Sequence, residues 1–75
     1  MMTANRALAE RARERAAAAE PGSMDRRAYG CAAVALATTG TIRAARQALG
    51  IVRPADVQAA ALAVLAGLEE GRGER

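Results

Sequence analysis

The sequence predicts an all-α fold, a small bundle of three to four Ala-rich helices completed by dimerisation. Three observations carry that expectation. In residues 54–68, PADVQAAALAVLAGL, the positions Val57, Ala61, Val64, Leu65 and Leu68 share one stripe of a 3.6-residue period, which marks a core helix. Of the 75 residues, 22 are Ala, the strongest helix former. The larger aliphatics are only six Leu, four Val and two Ile, with no Phe or Trp, so a core this thin calls for a second surface, and a homodimer supplies one most simply.

The first helix is expected over residues 3–20, capped by Thr3 and free of Gly and Pro. Arg6 with Glu10 and Arg11 with Glu14 are spaced for weak ion pairs along a solvated face. Leu8 is its one large apolar residue, so residues 1–22 either dock through Leu8 and an Ala face or fray, and truncating Leu8 should cost less than truncating Leu65. Glu20-Pro21-Gly22-Ser23 breaks the chain, because Pro has no N–H and disfavours helix in the residue before it.

A core of residues 23–71 follows. The second helix is expected over 24–38, with Ser23 as N-cap, Asp25 in the first turn, and Tyr29, Ala32, Ala33 and Leu36 as its inward stripe. Cys31 and Val34 form an adjoining strip that a further neighbour could cover. Gly30 costs about 1 kcal/mol against Ala in a helix, which suggests a close backbone contact there with the Ala-lined last helix. Thr39-Gly40-Thr41 punctuates, and a short third helix over 42–49 turns Ile42, Ala45 and Leu49 inward and Arg43, Arg46 and Gln47 outward. Gly50 then Ile51 fits a left-handed ending with a hydrophobic latch. The fourth helix is expected over 54–69, opened by Pro54 and Asp56, stopped at Gly71, and small enough along Ala59, Ala60, Ala63 and Ala66 for close approach on several sides. Residues 72–75 read as a disordered tail.

Composition excludes several function classes. Acid–base chemistry needs a tuned Asp, Glu, His or Lys in a pocket; the chain has no His and no Lys, and its acids fall in surface-type positions or at helix starts, so it is not expected to be an enzyme. The single Cys31 allows no internal disulfide, no Cys/His metal cluster is possible, and no Gly-rich phosphate loop is present; no metal or cofactor is expected. The longest uncharged run, residues 28–42, is shorter than the ~18 residues of a membrane span, and the N-terminal stretch has no signal-peptide core. A reducing, cytoplasmic setting follows as the expectation. That all 11 basic residues are Arg is what a GC-rich, bacterial genome would encode.

Charge is unevenly spread. From residue 26 to 55 the chain carries Arg26, Arg27, Arg43, Arg46 and Arg53 and no acid. These five are the candidate nucleic-acid-binding residues, since guanidinium pairs bidentately with phosphate. Residues 39–57, TGTIRAARQALGIVRPADV, resemble a helix-turn-helix DNA-binding segment, with Leu49-Gly50-Ile51 as the turn. The resemblance implies that the third helix braces the fourth in the major groove of duplex DNA, as in a transcription regulator. The competing reading is a helical protein-interaction module that pairs with itself or docks on a larger protein through surfaces lined by small side chains.

Overall fold

The computed structural model describes the backbone of residues 4–73 and the side chains of residues 5–69. Four helices follow in order: α1 (Ala4–Ala18), α2 (Met24–Ala37), α3 (Ile42–Leu49) and α4 (Ala55–Gly73), with no strand among the described residues. The all-α bundle expected from the sequence is the observed fold. The proposed Thr3 cap lies outside the described residues.

The breaks obey local chemistry. Glu20-Pro21-Gly22-Ser23 closes with the Ser23 N–H donating to the Glu20 carbonyl at 3.1 Å, and Gly22 has φ +82°. Pro at the second and a left-handed Gly at the third position are the requirements of a type II turn, and among the described residues Gly22 alone needs glycine for its φ. Ser23 caps α2, its Oγ accepting from the Arg26 N–H at 3.1 Å, and Thr41 caps α3 in the same way, accepting from the Ala44 N–H at 3.0 Å. At the far end of α2 the hydroxyls of Thr38 and Thr39 return to the carbonyls of Val34, which also accepts the Thr38 N–H, and Ala35.

Three glycine expectations fail. Gly50 is right-handed at φ −63°, and Ile51 is 82% exposed, so no latch forms. The Gln58 amide does that work instead, its Nε2 donating to the carbonyls of Leu49 (3.2 Å) and Gly50 (2.7 Å). Gly71 does not stop α4, which continues to Gly73; of the expected tail, residues 72 and 73 are helical and 74–75 lie outside the described residues. Pro54 precedes the helix and gives its carbonyl to the N–H groups of Val57 and Gln58, both at 3.1 Å.

Gly30 is the third. A Cβ built on it would meet nothing within 4 Å, so no helix presses on its backbone. Gly30→Ala is therefore expected to raise stability by about 0.5–1 kcal/mol, because only the unfolded-state entropy of glycine is removed. Urea denaturation of the two proteins checks this, and a loss of stability would place a neighbour where the structure has space.

The hub of the packing is α2, which contacts each of the other helices. Its buried residues, Ala28, Ala32, Ala33, Ala35 and Leu36, are mostly too small to stand out in a hydrophobic pattern. α1 lies antiparallel to it, since Asn5 reaches the carbonyls of Thr39 and Thr41 just past the end of α2. Leu8 (2% exposed), Ala9 and Ala12 join one core with Leu36, Leu49, Ala61, Leu65 and Leu68. This corrects the lesser weight given to Leu8: α1 is docked, and Leu8 is buried nearly as fully as Leu65. On α4, by contrast, Ala59, Ala63 and Ala66 are exposed, so that helix is covered along its apolar stripe and not on several sides. The Cα radius of gyration, 11.3 Å, equals the roughly 11 Å of a compact domain of this length, so the four helices close a core within one chain.

Candidate functional site

On the side of α2 away from α1's burial stripe, the chain leaves an apolar groove of about 950 Å³ between α2 and the link from α3 to α4. Its floor is core: Ala35, Leu49 and Val57 are each buried. One wall is the α2 strip of Gly30, Cys31, Val34 and Thr38, and the other is Ile51, Val52 and Pro54 of the link. Val34 is 64% exposed and Ile51 82%, the two most exposed large aliphatics among the described residues, and both line this one groove. Exposing a Val or Ile in place of burying it forgoes about 1.5–3 kcal/mol, so two of them on one concave surface mark a contact site better than a scattered pair would.

Local sequence explains why the groove stays open. Gly30 has no side chain to fill it. The Gln58 amide holds the end of α3, and a turn in which the Val52 N–H donates to the Leu49 carbonyl at 3.1 Å aims the link outward rather than folding Ile51 onto the core. Gln58 is thereby committed to the backbone of the link.

The rim is basic. Arg26 and Arg27 from the first turns of α2, and Arg53 from the link, line the groove, and no Asp or Glu does. None of these three guanidiniums has a hydrogen-bond or ion-pair partner among the described residues. Arg26 and Arg27 also stand near the positive end of the α2 dipole, an arrangement unfavourable by a few tenths of a kcal/mol per charge, which adds to the positive field.

The structure thus gathers three of the five candidate arginines and separates the other two. Arg43 and Arg46 are exposed on α3 and do not line the groove. Arg46 pairs with Glu69 of α4 at 3.1 Å, so the acid-free stretch of sequence is not acid-free in space. With side-chain exposures of 51% and 42% that pair contributes at most a few tenths of a kcal/mol, but it occupies a guanidinium. Sequence reasoning missed Val34 and Ile51 as surface residues. The signal was present in Cys31 and Val34, a second apolar strip on α2 whose expected neighbour does not arrive.

Among the described residues no group of His, Cys, Asp or Glu could hold a metal ion, and no helix is long and apolar enough to cross a membrane. No family model, no curated protein and no solved structure matches the chain.

Proposed function

We propose that this chain is a small non-enzymatic protein-interaction module whose working surface is the groove between α2 and the α3–α4 link. The observation that carries it is the convergence of Val34 and Ile51, exposed by 64% and 82%, on one concavity with a buried apolar floor. The lone Cys31 suits a reducing, cytoplasmic compartment. The test is an amide chemical-shift map of the protein titrated with a neutral amphipathic peptide, Leu along one helical face and Gln elsewhere. Gly30, Val34, Ile51 and Val52 should move most; shifts scattered over the surface, or none at millimolar peptide, would refute the groove as the working surface.

A second reading, duplex binding, is favoured by the exposure of all five arginines. Against it, the exposed residues of the first turns of α4 are Ala55, Asp56 and Ala59, and a phosphate backbone has nothing to gain from Val34 and Ile51. If Arg43 and Arg46 do contact phosphate, replacing both with Gln should flatten the dependence of log affinity on log salt by about one unit per contact. The interaction-module reading expects no measurable duplex affinity at physiological salt in a fluorescence-anisotropy titration. The homodimer suggested by the thin core is tested by sedimentation: a concentration-independent monomer mass would rule out self-pairing and leave a different molecule as the partner.

A further inference from the structure

Resting on the reading of the groove as an interaction surface, we infer that its occupant is an acidic amphipathic helix of another protein. Such a helix carries apolar side chains at i, i+3 or i+4, and i+7, flanked by Asp or Glu. The α2 wall supplies the matching shape: Gly30, Val34 and Thr38 are spaced by four, and from Arg26 to Thr38 the lining rises about 18 Å, the length of roughly three helical turns. Gly30 leaves space above its backbone, a notch into which an incoming apolar side chain fits without moving α2. Helix-in-groove recognition uses this combination of an apolar trough and evenly spaced anchors.

Charge selects among occupants. Arg26, Arg27 and Arg53 line the groove, no Asp or Glu lines it, and none of the three has a partner among the described residues, so flanking carboxylates find guanidiniums available. A second copy of the chain is disfavoured. A two-fold pairing of groove on groove sets the same three arginines of each copy against each other, and like charges across an interface are repulsive. Duplex DNA satisfies the arginines but buries Val34 and Ile51 against phosphates. Of these three occupants, the acidic amphipathic helix is the one that uses the rim and the floor together.

The experiment titrates the full chain with three labelled, end-capped helical peptides of about four turns, identical on the Leu face and flanked by Glu, Gln or Lys. The Glu-flanked peptide should bind about tenfold or more tightly than the Lys-flanked one at low salt, with the Gln-flanked one between. Substituting Arg26→Gln, Arg27→Gln and Arg53→Gln together should remove the Glu preference, bringing the Glu-, Gln- and Lys-flanked peptides to similar affinities. Val34→Asp and, separately, Ile51→Asp should weaken the Glu- and Gln-flanked peptides; both positions are exposed, and circular dichroism checks the fold of each variant. Equal binding of the Glu and Lys peptides overturns the acidic occupant but leaves the groove as an interaction surface. Failure of all three peptides, or affinity unchanged by both Asp variants, overturns the groove reading as well. A labelled duplex that displaces the Glu-flanked peptide at lower concentration overturns the helix in favour of nucleic acid.

Discussion

Leu65→Ala and Leu8→Ala are expected to destabilise the protein by similar amounts, about 2–5 kcal/mol each. Leu65 is fully buried and Leu8 is 2% exposed, and both belong to one contiguous core. Six of the eleven buried residues of that core are Ala, whose methyls cannot swing into a cavity as longer side chains can, so the cost should fall in the upper half of that range. For a domain whose total stability is of order 5 kcal/mol, either change could leave the chain substantially unfolded at body temperature. Urea denaturation with both variants is the measurement. A Leu8 cost below about 1 kcal/mol would mean that α1 detaches in solution while the remaining helices hold; near-equal costs place α1 within the cooperative unit.

The second large effect belongs to Asn5, the one buried polar side chain among the described residues, 2% exposed. Its Nδ2 donates to the Thr41 carbonyl at 2.8 Å, the Thr39 hydroxyl at 3.1 Å and the Thr39 carbonyl at 3.2 Å. These acceptors belong to the segment that ends α2 and caps α3, so one amide ties the start of α1 to the turn between two other helices. Asn5→Ala should cost about 1–3 kcal/mol, because it strands part-buried carbonyls that have given up water. Asn5→Asp should cost more still, since a carboxylate cannot donate and its charge would be buried against carbonyl oxygens. Thermal melts of the two variants decide the matter. A milder effect of Asp than of Ala would mean that water reaches the site and that the amide is not the tie described here.

Much of the architecture was legible because it rests on local rules. The Pro21-Gly22 turn, the Ser23 cap, the 42–49 limits of α3 and the stripe of α4 each follow from what one or two residue types permit the backbone to do. Local rules do not decide where a glycine has two possible uses. By sequence Gly50 and Gly71 suit left-handed endings and Gly30 a close contact, whereas the structure makes the first two right-handed or helical and gives the third empty space. A glycine states what is allowed, and its neighbours in space determine which permission is taken.

The candidate site divides along the same line. All five arginines are identifiable from charge alone, but proximity along the chain is not proximity in space. Arg26 and Arg53 are 27 positions apart and line one groove, whereas Arg46, nearer in sequence to Arg53, turns to Glu69. By itself the sequence determined the helices and their order. Those are properties of residue type and short spacing. Only the tertiary structure decided that α2 is the hub, that Leu8 and Asn5 are buried, and that Val34 and Ile51 are left outside beside three arginines without a partner among the described residues. Burial depends on which faces meet, and in a chain where small Ala side chains leave nearly every helix face able to pack, the periodic pattern does not choose between them.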